Sequence, residues 1–355
     1  MKNNNVISNK LYKLEALRGF AAVYVVFYHL FASGLVFFKI DFSFLFRFGQ
    51  EAVILFFILS GFVIYYSFEK AKNKSLKLFF TKRFLRIYIP LIIVFILNYC
   101  LYYNSIKEID IKELIGNLFM LQDSQDKKPN VIVGPFLGNI PLWSLSYEWY
   151  FYFIFIFIYK KANNSSIIVY LLSVASSILY IYYPNFFFRE LMYFAIWWTG
   201  VDIAKLYINH KEINFKNIKL MLFSLFIICL VLLFNVFKQG EIKNVIIPGA
   251  TGEYPWLEFR HFLFTILIIS FAVIWKKMKW IGFDIIFKPF ASIAPISFGI
   301  YISHWFLVFN TSYISFIDNR SIRLTVSLLI CVLFSYFLEL KLVPFIRKKL
   351  IIYAK

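Results

Sequence analysis

About ten runs of roughly 17 to 25 mostly apolar residues follow one another along this chain, each long enough to cross the ~30 Å hydrocarbon core of a bilayer as a helix. They lie near 17–37, 52–68, 86–103, 142–159, 165–183, 190–208, 219–237, 261–276, 290–309 and 323–346. Lipid offers backbone amides no partner, so such runs must close their hydrogen bonds internally, as helices. The implied fold class is an all-α integral membrane protein, a bundle of about ten transmembrane helices. Composition removes the soluble alternative. Of the 355 residues 61% are hydrophobic and 22% aromatic, more apolar surface than a soluble domain of this length can bury.

Charge sets the orientation. With the N-terminus in the cytosol, about 25 of the 38 Lys and Arg fall on the cytoplasmic side, as the positive-inside rule requires. An even number of spans returns the C-terminus to the same side, so both termini are cytoplasmic. Residues 1–13 read as a polar tail, 14–346 as the transmembrane domain and 347–355 as a short basic tail. The first apolar run lacks a small-residue cleavage site and is followed by further spans, so it is not read as a signal peptide. The net charge of +19 belongs with membrane lipids, not with nucleic acid. Cys100, Cys229 and Cys331 are scattered through apolar stretches and spell neither a disulfide framework nor a metal site. The longest polar insertion, 104–140, carries an amphipathic piece at 109–121 and then a Gly/Pro/Asn-rich loop, a candidate partial lid.

Ionisable groups inside such runs are costly and usually face a bundle interior or a wet cavity. Arg18 and His29 share the first run. Eleven steps of about 100° return to within roughly 20° of the start, so both lie on one face, roughly 16 Å apart along the axis. This places Arg18 near one surface and His29 near the midplane. A snorkelling arginine and a hydrogen-bonded core histidine are the plainer alternative. Arg83 and Arg86 stand one turn apart at the cytoplasmic entrance of the third run, where two guanidinium forks suit a phosphorylated ligand. A positive-inside anchor competes with that reading, and it is preferred for the lysines between 70 and 77. In the fourth run Glu148 lies one turn from Ser144, towards the outer opening, where a lone carboxylate needs a partner. In the ninth, Ser297, Tyr301 and His304 form one stripe, either supporting a site or bonding helix to helix. Asp202 is a weaker candidate near the cytoplasmic interface.

These landmarks together resemble the membrane-bound acyltransferase family 3. Leu14-Glu15-x-Leu17-Arg18-Gly19-x-Ala21-Ala22, ending at His29, is similar to the family's opening signature. Gly49-x-x-x-Val53 followed by Phe56-Phe57-Ile58-Leu59-Ser60-Gly61-Phe62 resembles its second span, and Arg83-x-x-Arg86-x-x-x-Pro90 its Arg-x-x-Arg motif. Trp143-Ser144-Leu145-x-x-Glu148 and Ser297-Phe298-x-Ile300-Tyr301-x-x-His304 match its later landmarks. The likeness runs in order from about Tyr12 to Trp305. Two departures are Glu15 where many members have Asp, and Phe298 where many have Tyr. The resemblance implies a ten-span bundle in the cytoplasmic membrane, in the form that lacks the esterase-like domain some relatives carry. It also implies transfer of acyl groups, often acetyl from cytosolic acetyl-CoA, to sugars of surface or exported glycans. His29 and Arg18 then fall at positions tied to activity, and Arg83 and Arg86 at positions tied to function on the cytoplasmic side.

The chemistry of the residues agrees. Acyl transfer from a thioester to an alcohol needs a base for the hydroxyl proton and a cationic or hydrogen-bonding partner for the oxyanion. A neutral imidazole at His29 suits the base role, and Arg83 with Arg86 suits the phosphates of acyl-CoA. No metal is called for, because a thioester reacts without one. Glu15, Ser144, Glu148, Ser297, Tyr301 and His304 are left as substrate-binding or supporting residues. A transporter of a small molecule or lipid-linked sugar is the competing class, although such folds usually carry internal repeats and none stands out here. A glycan polymerase is a further alternative. Neither the acceptor nor the oligomeric state is legible.

Overall fold

The computed structural model describes residues 2–102, 109–161, 165–240 and 252–353. Nearly all of them are helical. The main helices are α1 (Lys2–Phe31), α2 (Gly49–Glu69), α3 (Leu76–Tyr102), the short α4 (Ile111–Leu118), α5 (Trp143–Lys161) and α6 (Ser165–Tyr182). They continue as α7 (Phe186–Ile208), α8 (Lys219–Lys238), α9 (Trp256–Lys277), α10 (Phe283–Phe287), α11 (Ser297–His304), α12 (Arg320–Phe337) and α13 (Val343–Tyr353). A two-residue hairpin, β1 (Val36–Phe37) with β2 (Ile40–Asp41), joins α1 to α2.

Seven helices are long and apolar enough to cross a membrane: residues 11–31, 43–69, 76–102, 165–182, 219–238, 256–277 and 320–350. Three of the expected spans take another form. The ninth is broken, its halves Phe283–Ser292 and Ala294–Phe309 meeting at a 48° bend. The fourth and sixth are the helices α5 and α7, whose Trp, Tyr and charged residues dilute their apolar character. In α7 those side chains face protein instead of lipid: Trp197, Trp198 and Arg189 are fully buried.

The first run also ends early. Gly34 and its neighbours turn the chain after Phe31, where the apolar pattern alone carries the span to 37. His29 therefore sits in the last turn of α1, not at mid-span. The polar stretch expected as a tail is helical from Lys2, and α13 carries the helix through Tyr353 of the expected C-terminal tail. The end of that tail, residues 354–355, lies outside the described residues, as does the 104–108 part of the expected insertion. Within that insertion α4 is capped by Asp110, whose carboxylate accepts from Glu113 N at 3.0 Å.

The centre of the bundle is the crossing of α2 and α7. A Cβ placed on Gly61 would lie 2.0 Å from the Trp197 carbonyl oxygen, and one on Gly200 2.0 Å from that of Ile58. Two glycines facing each other's backbone bring the axes together, as small residues do between membrane helices. Gly200→Ala should force the pair apart at a cost of about 1–3 kcal/mol, visible as a lowered melting temperature in detergent. An unchanged melting curve would show that the helices do not touch there.

Candidate active site

A cavity of about 150 Å³ lies where α1, α2, α3, α5 and α11 converge. Three arginines line it. Arg18 donates from Nη2 to the Ala294 carbonyl at 2.6 Å, an oxygen that Ser297 Oγ also bonds at 2.8 Å. Arg83 donates to Ser67 Oγ at 3.2 Å, and its guanidinium lies over the rings of Phe79 and Tyr152 at 5.5 and 5.8 Å. Arg86 pairs with Glu339 and stacks over Phe298, 5.2 Å from the ring centroid.

Glu339 owes its aim to a π-helical turn, Leu338–Leu342, that interrupts the long final span and tucks the carboxylate inside. Glu148 is the one carboxylate on the cavity wall among the described residues. Its Oε1 accepts from Ser60 Oγ at 2.9 Å and from the Tyr152 hydroxyl one turn along α5. Three guanidiniums against Glu148, with Glu339 behind Arg86, leave the cavity net positive. Such a cleft between apolar walls draws in anions.

His29 belongs to a second, smaller pocket of about 20 Å³, together with Tyr28, Gln50, Lys127 and Trp143. Val53 and Tyr301 line both cavities. The Tyr301 hydroxyl has a single proton, donated to the Pro141 carbonyl at 2.8 Å, so Ser144 must be the donor in its 2.8 Å bond to the same oxygen. Two bonds thus hold one phenol as the partition. The His29 ring lies 5.3 Å from that of His304 and 4.9 Å from that of Trp305. His304 Nδ1 faces the carbonyls of Tyr301 and Ile300 at 2.8 and 3.1 Å, which makes it the protonated nitrogen and leaves Nε2 as a buried acceptor without a protein partner.

A sequence model of the acyltransferase 3 family, described as an acyltransferase domain, matches residues 11–340, a stretch that contains both cavities. The chain belongs to that family. No curated protein and no solved structure matches it. With its apolar helices, this acyltransferase is a multi-pass membrane protein.

Several placements in the acyltransferase differ from the sequence reading. Arg18 and His29 ride on one helix but line different cavities. Glu148, expected towards the outer opening, shares a cavity with the arginines, because α5 begins at Trp143 and its second turn already lies beside α2. Glu15 is exposed and off the cavity wall. Asp202 is taken up by Ser166, Tyr170 and Lys205. Ser144, Ser297 and Tyr301 do line the larger cavity, and His304, on the wall of neither pocket, lies beside the His29 ring. Among the described residues no group of three or more His, Cys, Asp or Glu could hold a metal ion, and the three cysteines are free.

Sequence reading missed a buried ion cluster that ties the 119–140 segment of the insertion to the bundle. Asp123 takes Lys128 Nζ at 3.0 Å, Arg189 Nε at 2.9 Å and the Tyr147 hydroxyl at 2.6 Å. All three charged side chains are at most 1% exposed. Arg189 also reaches the Pro129 carbonyl at 2.9 Å, and Lys128 lies 3.8 Å from the Trp143 ring centroid. Burial alone would raise the Asp123 pKa, but the two cations outweigh it and hold the carboxyl below its ordinary value. Its stabilisation is therefore present above about pH 4, where the unfolded carboxyl ionises, and is lost as pH falls through the lower folded value. Asp123→Ala leaves two buried cations unpaired and should cost about 3–5 kcal/mol. Thermal unfolding in detergent measures this, and a melting point equal to that of the wild type would show that the fold does not depend on the cluster.

Proposed function

We propose that the protein is an O-acyltransferase that moves an acyl group, acetyl in the first instance, from cytosolic acyl-CoA to an acceptor hydroxyl at His29. The observation that carries this reading is the pair of adjoining cavities. One is lined by three guanidiniums, the other holds an imidazole, and Tyr301 with Val53 stands between them. The phosphates of CoA suit Arg83 and Arg86 at the basic end, and the slender thioester arm suits a narrow cavity leading inward. Tyr301 would have to shift for the thioester carbonyl to meet His29. The hydroxyl then gives its proton to His29 as its oxygen bonds the acyl carbon. Collapse of the tetrahedral oxyanion breaks the C–S bond, and the proton passes to the departing thiolate to give free CoA. Arg18 and Glu148 are assigned to the donor side, where they orient the arm or each other.

Topology fits these roles. We count the seven apolar helices, the broken pair, α5 and α7 as ten crossings, and the positive-inside rule then supports both termini and the arginine cavity on the cytoplasmic side. His29 then faces outward, towards a hydroxyl on a cell-surface or exported glycan, with the enzyme in the cytoplasmic membrane. A transporter loses support because the acyltransferase match spans nearly every helix.

His29→Ala should abolish acetyl transfer in a protein that still folds; near-normal turnover in a well-expressed variant would rule out the base role. Arg83→Ala and Arg86→Ala should each weaken CoA binding by about 1.5–3 kcal/mol in titrations of purified protein. Because Arg86→Ala also strands Glu339, its melting temperature must be read beside its affinity. Unchanged affinity in both would assign the pair to anchoring α3 alone. Arg18→Lys keeps the charge but loses the planar fork, and should be slower than the wild type in the same transfer assay.

A further inference from the structure

We propose that the small pocket at His29 seats the oxygen of the acceptor hydroxyl, held between the side chains of Gln50 and Lys127. The inference rests on the donor and base roles proposed above and adds the groups that hold the nucleophile. A space of about 20 Å³ takes one oxygen atom and its proton, not a ring. The rest of the acceptor must therefore lie outside, with only its reacting hydroxyl inserted.

The polar groups there match one hydroxyl. Gln50 enters from the first turn of α2, and its Oε1 is buried with no hydrogen-bond partner in the protein. A buried carbonyl oxygen left so is costly unless something fills the role, and a hydroxyl proton is such a partner. Lys127 supplies the complement. Its Nζ donates to the Tyr28 hydroxyl at 3.2 Å, next in sequence to His29, and among the described residues no carboxylate lies within ion-pair distance of it. An ammonium has three protons, so two remain for an incoming oxygen.

Lys127 is also held where it is. Its neighbour Lys128 is locked to Asp123, its own amide bonds the Ser124 carbonyl at 3.2 Å, and its carbonyl accepts from Tyr254 N at 3.0 Å. Tyr28 is fixed in turn by Gly49, since a Cβ there would lie 2.1 Å from the Tyr28 ring. The pocket is thus preorganised by elements that take no part in the chemistry. The single hydroxyl proton rests on the Gln50 oxygen as the acceptor enters and turns to the His29 imidazole when the oxygen attacks the thioester; from there it passes to the CoA thiolate, while Lys127 keeps its own protons and orients the oxygen.

Water is the smallest nucleophile that fits, so acetyl-CoA hydrolysis by the purified full-length protein tests the pocket without a known acceptor. Lys127→Met and Gln50→Leu should each lower kcat for hydrolysis at least tenfold while leaving the KM for acetyl-CoA within about twofold. Lys127→Arg should recover most of the rate. Tyr28→Phe, which removes the phenol contact that helps to hold Lys127, should lower kcat less than Lys127→Met does. Unchanged kcat in Lys127→Met and Gln50→Leu would overturn the inference. So would a loss in Tyr28→Phe equal to that in Lys127→Met, which would reduce Lys127 to a prop for Tyr28. Altered CoA binding with kcat retained would move both residues to the donor side and overturn it as well. A wild type that turns over no acetyl-CoA at all would fail the functional reading itself, a different result from a working enzyme indifferent to these two side chains.

Discussion

Backbone-to-backbone contact between α2 and α7 is the constraint from which the rest of the architecture follows. Without a hydrophobic driving force between helices in lipid, close approach must come from small residues, and Gly61 and Gly200 provide it from opposite sides. Of the seven clearly apolar spans, the one containing α2 is the most buried. Along its length it carries Gln50, Val53 and Ser60, so it lines one pocket, the shared wall and the other pocket in turn. Through α7 the same contact fixes Arg189, which anchors the segment carrying Asp123 and Pro129. A small change in that crossing would reach both cavities at once.

Electrostatic layout follows from which charges the bundle pairs. Arg86 is compensated by Glu339 and Arg189 by Asp123, both carboxylates almost inaccessible to solvent. Among the described residues Arg18 and Arg83 bond only neutral groups, a carbonyl and a hydroxyl. Charge left uncompensated beside a cavity is charge available to a ligand. Arg189 holds helices in place, Glu339 holds Arg86 at the cavity wall, and the unpaired arginines there give the cavity its sign.

Much of this is legible in the sequence. Long apolar runs announce the bundle, and the order Arg18, His29, Arg83, Arg86, Glu148, Ser297, Tyr301 and His304 carries the family likeness. Periodicity assigns residues to faces of a helix. It cannot say which face meets which helix, so it leaves Glu148 with the outer opening when its neighbours are the arginines. The end of α1 escapes detection because Val36, Phe37 and Phe38 extend the apolar run past the turn at Gly34, and hydropathy does not sense a turn. Glu339 leaves a signal, a lone acid in the final apolar run, and Arg189 with Glu190 leaves another. Lys127 leaves none: one lysine in a polar loop is unremarkable until the fold sets it beside Tyr28.

The ion cluster has a consequence for how the chain is put together. Asp123 and Lys128 are synthesised before α5, Arg189 enters with α7, and Tyr254, which bonds the Lys127 carbonyl, comes just ahead of α9. Until α7 is in place, its arginine has no counter-ion, and Asp123 and Lys128 have no cover. The partners meet only once more than two thirds of the polypeptide has emerged. In this order of synthesis Lys127 can settle beside His29 only after α7 and Tyr254 have followed it.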